Sequence, residues 1–205
     1  MPSTPFARNT TMTAHDPEFD PDDNFANSLE SGTGVDLESA DTREALVWQL
    51  LLLINPGDEE SALQQFSAYR EALEIAGPDE VEPLWLLKDL IDWKSGFFVD
   101  EDDAVSFIDT ITELAARWNV VIDWGVEDAS DEDFLAEAEV PSLMAVAADR
   151  LREYGYSLWT WNTASGPHGE EGVHAGWITF SSDDEAMQEV AQALEIEARP
   201  ASDPF

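Results

Sequence analysis

Cysteine is absent, and lysine stands only at positions 88 and 94. The first absence excludes a disulfide framework, thiol catalysis and any thiolate metal site. The second belongs to a wider scarcity of positive charge, since 45 Asp and Glu face only 9 Lys and Arg, a formal net charge of -36. A chain so charged repels nucleic acid and anionic lipid and attracts cationic partners, so neither DNA or RNA binding nor membrane binding is expected. Long apolar runs are missing as well. Ala45 to Ile54 is the most apolar stretch, is broken by Gln49 and is too short to span a bilayer. The opening "MPSTPFARNTTMTAHD" has no continuous apolar segment of the kind a signal peptide needs, and a cytoplasmic location is expected; Met12 offers a second start.

The acid is spread along the chain. Segments 1–41, 42–100, 101–155 and 156–205 each carry a net charge of -8 or more negative. That distribution suits a surface adapted to high salt, and it equally allows a surface that captures a basic protein, because an even sequence can still build one dense face.

With 43% hydrophobic residues and 8 Trp there is enough apolar material for one core. Residues 1–40 contribute little to it. Their mixture of acid, Pro, Gly and Ser without apolar period predicts a disordered acidic tail. Order is expected over 41–199 as one domain, with 200–205 as a C-terminal tail. Asp41, three residues before Glu44, precedes "ALVWQLLLLI", apolar on every face, and predicts a buried helix stopped at Asn55, Pro56 and Gly57. Ala62, Leu63, Phe66, Tyr69 and Leu73 predict a second helix ended by Gly77 and Pro78; Leu84, Leu87 and Ile91 predict a third. A fourth, over 101–118, shows Ala104, Phe107, Ile108, Ile111, Leu114, Ala115 and Trp118 at helical spacing.

Beyond this helical part, 41–118, the pattern changes. "VVIDWG" reads as a buried strand over 120–124, 127–139 as a loop with one helical turn, and Pro141 as the start of a helix that Gly155 closes. Strands follow over 156–161 and 173–180, then a helix capped by Ser182 with Glu185, and "EIEAR" as a last edge strand. The order over about 120–199 is that of a ferredoxin-like split βαβ antiparallel sheet, with both helices on one face. The fold class expected is α+β.

Two places have chemistry-bearing residues. In "SLWTWNTASGPHGEEGVHAGWITF", residues 157–180, His168, Glu170, Glu171 and His174 are of metal-ligating type, although their spacing matches no established pattern. The same loop lacks the lysine and following helix of a phosphate cradle, and Ser157 and Ser165 lack the strand-turn-helix setting of a nucleophile elbow. The other place is an aromatic and acidic set, Asp92 with Trp93, Asp123 with Trp124, and Trp159 with Trp161, which suits a ligand or partner surface. It suits an ordinary core as well. No catalytic residue and no cofactor is indicated.

The pieces "LLLLINPGDEESALQQFSAY", "LIDWKSGFFVDEDDAVSFIDTI", "VVIDWG" and "YGYSLWTWNT...HAGWI" resemble an uncharacterised bacterial family, domain of unknown function 6630, over about residues 43–199. That resemblance implies no reaction and no functional residues. From the residues themselves, the function expected is a non-enzymatic acidic module that engages a basic protein in an inhibitory, immunity-type or regulatory role. A metal-dependent hydrolase using His168 and His174, and a domain whose charge serves only solvation in high salt, are the alternatives.

Overall fold

In a computed structural model, residues 40–76, 83–91, 93–164 and 169–205 are described, and their elements all lie within one unit, Leu37–Phe205. The acidic N-terminal segment, and Gly77 and Pro78 as the expected end of the second helix, lie outside the described residues.

Helix α1, Ala40–Leu53, is buried through Val47, Leu50 and Leu51, as a run apolar on all sides requires. Asp58 then accepts from the Ser61 backbone N–H at 3.0 Å and caps α2, Glu59–Ala76. Pro83 opens α3, Pro83–Ile91, where its missing N–H costs no helical hydrogen bond. Strand β1, Gly96–Asp100, follows directly, and Asp103 caps α4, Ala104–Ala116, by accepting from the Ser106 N–H at 2.9 Å. The chain continues through α5, Glu132–Glu137, α6, Val140–Glu153, β2, Tyr156–Trp161, β3, Val173–Phe180, α7, Asp184–Ala193, and β4, Ala198–Pro200.

The four strands form an antiparallel sheet in the order β1-β3-β2-β4, so the architecture is α+β with a helical N-terminal part. Strand alternation divides the apolar side chains between two cores. Phe97, Val99, Leu158 and Ile178 face α4 and α6; Trp159, Trp161, Ala175 and Trp177 face α1, α2, α3 and α7. Gly176 lets β1, β3 and β2 close up, because a Cβ there would stand 1.8 Å from the Trp159 carbonyl oxygen and 2.9 Å from the Phe97 ring.

Three expectations need correction. Residues 120–124 have no ladder; Val120 and Ile122 are buried in the core that α4 and α6 share, and Val121 is exposed. Their alternation is real, but helices rather than a neighbouring strand receive it. The first strand is instead "GFFVD", so the sheet begins at Gly96, and the ferredoxin-like arrangement over 120–199 is not reproduced: α7 packs on the face opposite α6. Finally, Ser182 does not cap α7. Its hydroxyl donates to the Asp183 carboxylate at 3.0 Å, and a short 3-10 turn, Ser181–Asp183, leads into the helix.

Candidate functional site

The register places several turns at one end of the sheet. Gly96 pairs with Trp177 and Tyr156 with Phe180, so the turn before β1 and the turn at Gly155 open on the same side. Two hydrogen bonds add the α1–α2 turn and the end of α4: Arg117 donates to the Lys94 carbonyl at 2.8 Å, and Trp118 Nε1 donates to the Pro56 carbonyl at 2.8 Å.

A polar network lies beneath this end. Asn55 Nδ2 donates to the Leu51 carbonyl at 2.8 Å and to Gln65 Oε1 at 2.7 Å, and Gln65 Nε2 donates to Ser95 Oγ at 2.6 Å. All three side chains are buried. Arg117 completes the network with bonds to Asn55 Oδ1 at 2.9 Å and Asp58 Oδ2 at 3.3 Å. The Ser61 hydroxyl and N–H hold the Asp58 carboxyl below the usual carboxylate range, and Arg117 adds to the effect. These donors and acceptors are spent on one another, the Ser61 hydroxyl included, which donates to Asp58 Oδ2 at 2.6 Å. The network is a brace that makes the turns above it rigid.

Those turns display aromatic surface. Trp93 is 45% exposed and holds a positive φ of 58°, a backbone conformation that a bulky residue rarely adopts. Trp118, Tyr156 and Phe180 form a stack, with ring centroids 4.8 and 5.4 Å apart, and Arg117 lies over the Trp118 ring at 5.1 Å. Burial pushes the Tyr156 hydroxyl to a higher pKa. Such a surface can recognise a partner by contact.

The sequence-derived aromatic set does not assemble here. Trp159 and Trp161 are buried on the α1-α2-α3-α7 side, with Trp159 Nε1 donating to Thr179 Oγ1 at 3.0 Å. Trp124 packs into the opposite core, 6.2 Å from Phe107. Asp123 is exposed, accepts from the Gly125 N–H at 2.9 Å and lies 3.8 Å from Arg150, a turn-forming role. Asp92 lies outside the described residues; of the set's described residues, only Trp93 reaches this surface. Gln65, on the buried face of α2, was the missed signal: an amide among Ala62, Phe66 and Tyr69 needs partners.

At the other end of the sheet, His174 pairs in register with Val99 and is half-buried. Burial lowers its pKa, partly offset by the charge of Glu101. Glu170 turns to Lys88 at 3.9 Å instead. Among the described residues no three His, Asp or Glu side chains gather as a metal site, so Glu170, Glu171 and His174 do not form one; His168 lies outside those residues. Nor is any helix among them long and apolar enough to cross a membrane.

No curated protein and no solved structure matches the chain. One family model does, described as Domain of unknown function (DUF6630), over residues 46–201, a span that takes in α2 to β4, both cores and the braced turns. The chain belongs to the DUF6630 family.

Proposed function

We propose that this protein is a non-enzymatic acidic binding module, acting in the cytoplasm, that engages a basic protein in an inhibitory, immunity-type or regulatory role. The observation that carries this reading is how the few cations are used. Arg70, Lys88, Arg117, Arg150, Arg152 and Arg199 each already face a carboxylate within 4 Å, so the outward field comes from acids without local compensation.

One extended supply is Asp123 to Glu139, with eight acids and no base in sequence. Phe134 and Leu135 pin α5 to the core, which leaves Glu132, Asp133 and Glu137 exposed. Val121 and Val126, a few residues earlier in sequence, are exposed and offer apolar contact area.

The test is a pull-down from a lysate of the source organism with the full-length protein, washed at low and at moderate salt. A basic protein should be retained at low salt and released at moderate salt. A triple variant, Glu132→Gln, Asp133→Asn and Glu137→Gln, should fail to retain it. Nothing retained by either form, together with a steep gain in thermal stability in molar salt, would replace this reading with solvent adaptation.

A further inference from the structure

Lys88 lies against two aromatic rings. Its ammonium is 4.2 Å from the centroid of Phe98 and 5.5 Å from that of Trp85. Trp85, Lys88 and Asp89 stand at i, i+3 and i+4 on α3, one helical face, and Phe98 comes from β1. Trp161 meets the Trp85 ring edge-on at 5.3 Å and 85°, and Phe98 meets it at 6.5 Å and 70°, so the walls are mutually fixed. Carboxylates complete the surround, with Asp89 Oδ1 at 3.8 Å and Glu170 Oε1 at 3.9 Å. Glu170 is itself held: its N–H donates to the Thr163 carbonyl at 2.8 Å, and the Thr163 hydroxyl donates to the Val173 carbonyl at 3.0 Å.

How the ammonium is bound matters more than that it is bound. Both carboxylate oxygens stand beyond hydrogen-bonding distance, so ring faces and ion-pair attraction without a hydrogen bond hold Lys88. The guanidinium of Arg117, by contrast, is tied by donated hydrogen bonds to Lys94, Asn55 and Asp58. Aromatic faces with nearby carboxylates make a general receptor for alkylammonium groups, and nothing in this one is specific to the side chain that fills it. The Lys88 side chain retains 22% of its exposure, which gives a competitor a route in.

We infer that Trp85, Phe98, Asp89 and Glu170 form an alkylammonium-binding cage that Lys88 occupies in cis, and that a lysine side chain of a basic partner displaces Lys88 on docking. This deepens the binding-module reading by naming one contact, and it rests on that reading for its partner.

The experiment uses the full-length chain and tetramethylammonium alone as probe, at moderate salt, so that diffuse attraction to the acidic surface is screened. Lys88→Ala empties the cage and should bind the probe about tenfold more tightly than wild type, with an upfield ring-current shift of the methyl protons. Adding Trp85→Leu should abolish that gain. In the wild type, where folding is not in question, saturating probe should raise the rate at which an amine-reactive reagent labels Lys88. Equal affinity of wild type and Lys88→Ala, indifference to Trp85→Leu, or an unchanged labelling rate would each overturn the cage. Because the probe contains no protein, that failure leaves the pull-down result standing, and a failed pull-down leaves the cage result standing.

Discussion

Arg117 donates to the side-chain carbonyl of Asn55 at 2.9 Å across 62 residues of sequence, and this bond ties the α1–α2 turn to the end of α4. Hydrogen bonds to charged groups are each worth about 1.5–3 kcal/mol, and a buried acceptor left alone costs about 1–3 kcal/mol. Arg117→Ala orphans the Asn55 amide oxygen while Gln65 still occupies its nitrogen. Since the Arg117 side chain is 21% exposed, water recovers part of the loss. The expected cost is about 2–3 kcal/mol, read as a lower urea midpoint with an unchanged slope. Arg117→Lys should recover less than half, because an ammonium cannot reach Lys94, Asn55 and Asp58 together.

Ser157 and Thr179 face each other across β2 and β3, with opposite consequences for mutation. Among the described residues the Ser157 hydroxyl is buried without a hydrogen-bond partner, whereas the Thr179 hydroxyl accepts from Trp159 Nε1 at 3.0 Å. Ser157→Ala removes a group already desolvated, so stability should hold or rise by up to about 1 kcal/mol. Thr179→Val is nearly isosteric but orphans the buried indole N–H, and should cost about 1–3 kcal/mol. Thermal melts of both variants decide it; a loss for Ser157→Ala equal to that for Thr179→Val would contradict this account.

The helices were legible because 3.6-residue periodicity is local: Phe107, Ile111 and Leu114 lie on the buried face of α4 as their spacing requires. Strands β2 and β3 were legible for the same reason, as alternating or continuous apolar runs bounded by Gly155 and Gly172. What failed was pairing. "VVIDWG" and "GFFVD" are both short, apolar and turn-bounded, and only tertiary contact shows that the second enters the sheet while the first lies on helices. The braced turns were illegible in the same way, since Asn55, Gln65, Ser95 and Arg117 come from four separate segments. Asn55 had a sufficient local explanation as a helix stop.

His174 supplies a pH test whose sign follows from its burial. With a folded pKa below the ordinary value of about 6.5, the unfolded chain binds the proton more tightly. The neutral imidazole's contribution is therefore complete above about pH 6.5 and is lost as pH falls toward the folded pKa. Over the same range, protonation of surface carboxylates relieves self-repulsion in so acidic a chain and pushes stability the other way. Comparison with His174→Gln separates the two. The stability of wild type relative to His174→Gln should decline between about pH 7 and about pH 5 in urea titrations. A difference that stays constant across this interval would show that His174 does not resist protonation in the fold.

Trp93 and Trp159 both looked like members of one aromatic site, and their burial now predicts different behaviour. Trp159 is 1% exposed and fills the core against α1, α2, α3 and α7, so Trp159→Ala should cost about 3–5 kcal/mol. Trp93 is exposed and sits at φ 58°, where glycine is at ease. Trp93→Gly relieves backbone strain of about 1–2 kcal/mol and gives up about 0.5–1 kcal/mol to the greater freedom of the unfolded chain. The turn's own Trp93 N–H to Gly96 carbonyl bond at 3.0 Å survives the change, while the covered part of the 45%-exposed indole is given up. The net loss should therefore stay below about 2 kcal/mol, short of the Trp159→Ala cost. That makes Trp93→Gly a usable probe of function. A small change in melting with weakened capture of a partner would assign Trp93 to the recognition surface, whereas a core-sized loss of stability would show that the indole packs as Trp159 does.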